Sequence, residues 1–260
     1  MLTDTHCHLN DERFAADLDE IIKNFKNDNI KLVVCNSADL ASSKKTVEIC
    51  NKYPAVYGAI GVHPHNAKDY DEQTEKFLRA NAGNKKIVAI GEIGLDYYYN
   101  LSDRQTQKEV LIKQLKIADE MGLPVVFHVR DAMGEFLEIL KQNKQYLRQG
   151  GVVHSFSGSA ESAQEAISLG LFLGFNGIIT FKNARKAVEV IGQTDLKHIV
   201  LETDAPFLTP EPFRGRRNEP KYVKYVAEKI AEIKNMPIEE AERVTAENAE
   251  RLFNKIINKR

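Results

Sequence analysis

The sequence predicts an α/β fold: a single-domain (β/α)8 barrel over residues 1–260, with its chemistry at the C-terminal ends of the strands. Three observations predict it. Short apolar, β-branched runs alternate with longer helix-spaced segments eight times along the chain. A length of 260 residues suits one barrel. Reactive polar side chains recur at or just past the ends of the apolar runs, which a barrel gathers around one mouth.

In chain order, residues 2–5, 31–36, 56–62, 87–93, 124–129, 151–155, 172–178 and 198–203 have the length and Val/Ile content of buried strands. Residues 11–28, 40–52, 71–81, 102–121, 132–147, 160–169, 182–192, 219–234 and 237–258 have helical spacing. In 102–121, Leu111, Leu115 and Ala118 share one face, and Lys and Glu side chains occupy the other. Ser102 is expected to cap that helix, and Gly122-Leu123-Pro124 to end it. Strand-then-helix repetition implies parallel strands under covering helices. An open doubly wound sheet is the alternative; eight units in this length favour closure. Residues 207–218, rich in Pro, Gly and Arg, read as a long loop after the last strand, not as a boundary.

A hydrophobic fraction of 43% supplies a sizeable core. Lys and Arg number 36 against 37 Asp and Glu, so no global basic field gathers polyanions and any such contact must be local. Cys7, Cys35 and Cys50 are odd in number and form no CxxC, which disfavours a disulfide framework or a cysteine zinc module and fits a reducing cytoplasm. The N-terminus lacks the basic and apolar regions of a secretory signal, and no apolar run approaches a membrane span. Neither a membrane partner nor an obligate protein partner is expected.

His6 and His8, Asn36, His63, Glu92, His128, His154, Asn176 and Asp204 fall at strand ends, and they include five of the seven histidines. The period of two along a strand turns His6 and His8 to one side and Cys7 to the other. Glu92 ends an apolar strand, where a carboxylate is costly unless a cation or a donor meets it. His128 or His154 alone is more commonly a satisfied core histidine, and Asp204 alone a turn residue. Taken together, four imidazoles and two carboxylates exceed the needs of one tetrahedral ion. They suit two divalent ions about 3.5–4 Å apart, bridged by Glu92, that activate a water. Mixed N/O donors admit Zn, Mn, Fe or Ni, with Mg less well matched. HExxH, GxxxxGK[ST] and GxSxG motifs are absent.

Asp4-Thr5-His6-Cys7-His8, Gly61-Val62-His63-Pro64-His65, Gly91-Glu92-Ile93-Gly94-Leu95-Asp96, His128-Val129-Arg130, Leu201-Glu202-Thr203-Asp204-Ala205-Pro206, Arg214-Gly215-Arg216-Arg217-Asn218-Glu219-Pro220 and Asn248 together span almost the whole chain. The set resembles the TatD-type metal-dependent deoxyribonucleases, a branch of the amidohydrolase-like barrels. The resemblance implies metal ligands at His6, His8, Glu92, His128, His154 and Asp204, with no departure at those positions. It also implies 3′→5′ exonuclease action on single-stranded DNA, with RNA as a further substrate. Glu92 stands where many amidohydrolases carry a carboxylated lysine.

On this reading, one ion sits on His6, His8 and Asp204 and the other on His128 and His154, with Glu92 between them. Asp204 is the candidate general base, and His63 contacts the scissile phosphate or the leaving oxygen. Arg130 and Arg214 are the expected phosphate contacts, and Phe207 a base-stacking residue, with Phe156 and Phe181 weighed beside it. Two rival classes are an amidohydrolase-type enzyme acting on a small amide, amidine or phosphoester, and a non-catalytic metal-binding protein.

Overall fold

The computed structural model describes residues 1–254. Among them, eight parallel strands form one sheet in chain order: β1 (Leu2–Cys7), β2 (Ile30–Asn36), β3 (Val56–Ile60), β4 (Ile87–Asp96), β5 (Val125–Arg130), β6 (Gly151–Val153), β7 (Leu171–Phe175) and β8 (Ile199–Leu201). The covering helices are α1 (Leu18–Asn24), α2 (Leu40–Lys52), α3 (Glu72–Ala82), α4 (Arg104–Glu120), α5 (Met133–Gln142), α6 (Ala160–Ser168), α7 (Arg185–Gln193) and α8 (Val223–Lys234), followed by α9 (Ile238–Leu252). The chain forms a single-domain barrel.

The seam between β8 and β1 closes without a regular ladder. A single bridge joins Cys7 to Ala205. Backbone bonds accompany it, from the His8 amide to the Ala205 carbonyl (2.7 Å) and from the Asp204 amide to the His6 carbonyl (2.8 Å), and side chains add more: Asp4 accepts hydrogen bonds from the Thr203 amide (2.9 Å) and hydroxyl (2.6 Å), and Thr5 Oγ1 donates to the Leu201 carbonyl (2.9 Å). Burial pushes the Asp4 carboxyl up to about 8, although the Thr203 and His6 hydrogen bonds oppose the shift.

Val126, Val152 and Val200 lie two residues before His128, His154 and Glu202, and so share their side of each strand. They pack with Leu32, Val34, Ala59 and Val88 into one buried cluster that also takes in Leu252 and Phe253. This apolar floor lies under the polar end of the barrel. A second, larger cluster fills the space between strands and helices.

Several expected boundaries move. Four strands end earlier than expected, so His154 and Asn176 stand just past β6 and β7 instead of within them, and His63 and Asp204 lie three positions past β3 and β8; β4 is longer, reaching Asp96. The segment 11–28 divides into a 3₁₀ turn at Glu12–Phe14 and the short α1. The part of 237–258 beyond residue 254 lies outside the described residues. Ser102 does not cap α4. Asp103 does, accepting from the Thr106 amide (3.0 Å), because its carboxylate sits directly before the first turn. Ser102 instead donates to the His65 carbonyl (2.9 Å) and accepts from the Lys68 amide (3.0 Å), fixing the loop after β3.

Gly94 pairs with His128 at a close approach of two backbones. Its φ is +149°, and a Cβ there would lie 1.9 Å from the His128 carbonyl oxygen. Gly94→Ala is therefore expected to lower stability by roughly 3 kcal/mol or more, as read from urea unfolding.

Candidate metal centre

Glu92 lies at the middle of the site. It is 3% exposed, the sixth of the ten residues of β4, and its two oxygens face different neighbours. Oε2 is 3.5 Å from His6 Nε2 and 3.8 Å from His8 Nε2. Oε1 is 3.0 Å from His128 Nδ1, 3.1 Å from His154 Nε2 and 3.7 Å from His63 Nε2. Asp204 Oδ1 joins the first group, 3.2 Å from His8 Nε2 and 3.6 Å from His6 Nε2. All six expected ligand side chains thus converge in two half-sets, one on each oxygen of a single carboxylate.

Local backbone explains the convergence. His6 and His8 project from the same side of β1 and its immediate extension, their Nε2 atoms 3.3 Å apart. Asp204 takes a left-handed φ of +58°, and its amide donates to the His6 carbonyl (2.8 Å). That pairing carries a residue three positions past β8 back over β1.

A second layer orients the imidazoles. His8 Nδ1 is 3.1 Å from the Asn36 carbonyl, which can only accept, so Nδ1 carries a proton and Nε2 is the atom available to a cation. Asp96, fully buried, has its Oδ2 2.9 Å from both His128 Nε2 and His65 Nε2, while its Oδ1 accepts from the Tyr99 amide (2.9 Å). Glu202, also fully buried, uses Oε1 to accept from the Ser155 amide (2.7 Å) and Asn176 Nδ2 (3.1 Å); that oxygen is 3.4 Å from His154 Nδ1. Asp96, His65 and Glu202 were not assigned from the sequence.

The donors fit divalent cations. His6 Nδ1, His154 Nδ1 and Glu202 Oε2 are buried without hydrogen-bond partners, and His6, His154 and Glu202 offer ligand atoms within 4.8 Å of one another. A cation on His154 Nε2 would make its Nδ1–H a donor facing this carboxylate, 3.4 Å from Oε1. The facing Nε2 atoms of His6 and His8 likewise call for a cation between them. Glu202→Gln is expected to weaken metal binding about 10- to 100-fold in calorimetric titrations; an unchanged affinity would remove Glu202 from any orienting role.

Burial alone would raise the Glu92 carboxyl, but the His154, His6 and His63 imidazoles hold it well below the usual range. Burial would lower His154; Glu92 and Glu202 instead hold it well above its usual value. His128 is raised against burial by Asp96 and Glu92, and His8 by Asp204. His6 and His63 are lowered by burial and by neighbouring imidazoles. Cations must displace the protons on His8, His128 and His154, so metal affinity is expected to climb as pH rises from about 6 to 8. Calorimetry across that range checks the slope.

His63 has two contacts. Its Nδ1 accepts from the His65 amide (3.1 Å), capping a 3₁₀ turn, and its Nε2 faces Glu92. Phe207 is 44% exposed at the mouth, its ring 6.0 Å from that of His8, with the Arg13 guanidinium 4.2 Å above it. Arg130 is exposed at the end of β5 and lies over Tyr98 (4.0 Å) and Tyr99 (4.8 Å). Arg214 stands farther out, 4.4 Å over Phe181, and Phe156 is buried. Two cavities, of ≈ 650 and ≈ 700 Å³, open from the centre and share His128, His154, Asp204 and Phe207.

The model of the family described as TatD related DNase matches residues 3–254. An uncharacterized metal-dependent hydrolase of Bacillus subtilis, YabD, is 44% identical over 253 residues, covering 97% of this chain and 99% of its own. A Cronobacter sakazakii protein named 3′-5′ ssDNA/RNA exonuclease TatD is 32% identical over 257 residues, with 96% and 97% covered. The crystal structure of YjjV, a TatD homologue from Escherichia coli, superimposes with a TM-score of 0.90 at 29% identity, covering 97% of this chain and 98% of that one. With a matching family model across the chain, this barrel and buried groups suited to metal, the protein belongs to the TatD family of metal-dependent hydrolases.

Proposed function

We propose that the enzyme is a cytoplasmic deoxyribonuclease that removes nucleotides from the 3′ end of single-stranded DNA, with RNA as a second substrate. The supporting observation is the divided environment of Glu92, whose Oε2 faces His6 and His8 and whose Oε1 faces His128 and His154. His6, His8, Asp204 and Glu92 Oε2 would hold one divalent cation; His128, His154 and Glu92 Oε1 would hold the other. Two such cations, when bound, acidify a water and neutralise charge on the phosphoryl oxygens. Asp204, 14% exposed at its side chain, would take the proton of the attacking water. His63 Nε2, 3.7 Å from Glu92 Oε1, would contact the phosphate or the leaving oxygen. The name of the Cronobacter relative is in keeping with this substrate.

The test is digestion of end-labelled single-stranded DNA by EDTA-treated protein, with Mn²⁺, Mg²⁺ or Zn²⁺ added back. RNA, a phosphodiester dye ester and cyclic amides run in parallel. A metal-restored ladder shortening from the 3′ end is expected. Turnover of the amides alone, or hydrolysis indifferent to EDTA, would overturn the proposal.

A further inference from the structure

The two cavities that open from the metal centre differ in charge. The one over β5–β8 is walled by Ile178, Ile179, Ala187 and Leu208, with Arg130 and Lys186 at its rim; apart from Asp204 of the centre, no acidic side chain lines it. Lys182 and Arg185 flank Asn183, Ala184 and Lys186 of that wall. Arg214 covers Phe181, the residue before Lys182. Among the described residues, Arg130, Lys182, Arg185, Lys186 and Arg214 form no ion pair; Glu161 feels Lys186 only as a longer-range charge. Two other basic residues that follow β8 are engaged by carboxylates. Arg217 is bound to Asp17 and Lys221 to Glu219. The start of α7 adds to the positive field. It has no acidic residue in its first turn, and no side chain caps it.

The cavity over β1–β3 has the opposite balance. Beyond the centre its charged lining is Asp11, Glu12, Asp39 and Lys45. Arg13 neutralises Asp11 through two 2.8 Å hydrogen bonds, and Asp39 caps α2, which leaves Glu12 and Asp39 against Lys45. A polyanion is attracted to one side of the mouth and repelled from the other.

Resting on the nuclease reading above, we infer that the substrate strand lies on the β5–β8 side only. Its phosphates follow Arg130, Lys186, Arg185 and Lys182, and bases near the scissile bond stack on Tyr99 and Phe207. Tyr99 is 53% exposed, lines this cavity and supports Arg130 on its face. Stacking on exposed rings and unpaired cations along a backbone form a binding mode that tolerates any base sequence. One-sided binding also explains attack at an end: a strand continuing through the mouth would place phosphates beside Glu12 and Asp39.

The test compares wild type, the double reversal Arg185→Glu/Lys186→Glu, and Glu12→Lys on the opposite side. The first readout is fluorescence anisotropy of a labelled long oligothymidylate and a labelled dinucleotide with EDTA-treated protein over a salt series; circular dichroism checks folding. The double reversal is expected to weaken the long strand about tenfold or more, and to lower the slope of log affinity against log salt by about 0.7 for each lost contact. The dinucleotide should lose much less, and Glu12→Lys should not weaken either ligand. Equal losses for both ligands, no loss, or an effect of Glu12→Lys as large as that of the double reversal would overturn the one-sided track. Digestion with metal by the same proteins separates the two claims. Wild type that binds the strand but never hydrolyses it contradicts the nuclease reading. Wild type that hydrolyses it, alongside unaffected variants, contradicts only the track.

Discussion

Replacing Glu92 by alanine is expected to bring hydrolysis to an undetectable level and to break metal binding in both half-sets, while the barrel stays folded. No other carboxylate of the centre has one oxygen toward His6 and His8 and the other toward His128 and His154. The apolar floor of Val126, Val152 and Val200 and the Asp4 seam lie outside this contact set, so they persist. The variant should therefore give a normal circular dichroism spectrum with little metal retained. Its stability has a pH signature. The Glu92 carboxyl is depressed in the folded protein, so in metal-free wild type its contribution is present above the unfolded value of about 4.3 and is lost as pH falls through the depressed value. The melting-temperature gap between metal-free wild type and Glu92→Ala should narrow in acid. Near-normal turnover by the variant would remove the bridging scheme.

Asp204→Ala is expected to abolish hydrolysis by a different route. Asp204 touches only the His6 and His8 half-set, so binding at His128 and His154 should survive and metal stoichiometry should fall without vanishing. Asp204→Asn separates ligation from proton transfer. The amide oxygen can still coordinate, but it cannot take a proton at neutral pH. A kcat that collapses at nearly unchanged KM and metal content identifies Asp204 as the base; loss of metal in the Asn variant as well identifies it chiefly as a ligand.

How far the sequence was legible follows from which residues obey simple periodicity. His6 and His8 could be paired from alternation alone, and the apolar runs place Glu92, His128 and His154 at strand ends. The six expected ligand side chains lie together, and His63, Asp96 and Glu202 lie among them. Asp96 was missed as a partner of His128 because β4 runs on past Ile93 through Gly94, whose close approach to His128 no propensity encodes. His65 was missed because it lies in a turn and meets Asp96 across 31 positions. Glu202 stands two residues before Asp204, but β8 ends at Leu201 and Asp204 turns left-handed, so alternation gives no guide there. The arginines of residues 207–218 are visible in the sequence; that Asp17 takes up Arg217 while Arg214 lies over Phe181 is a long-range arrangement with no local signal.

The central claim is that one carboxylate divides the mouth of this barrel into two cation sites, and anomalous diffraction from Zn²⁺- or Mn²⁺-loaded crystals tests it most directly. The account predicts two peaks about 3.5–4 Å apart on opposite oxygens of Glu92, one within bonding distance of His6, His8 and Asp204 and the other of His128 and His154. A single peak that leaves either half-set bare, or peaks away from Glu92, would contradict it.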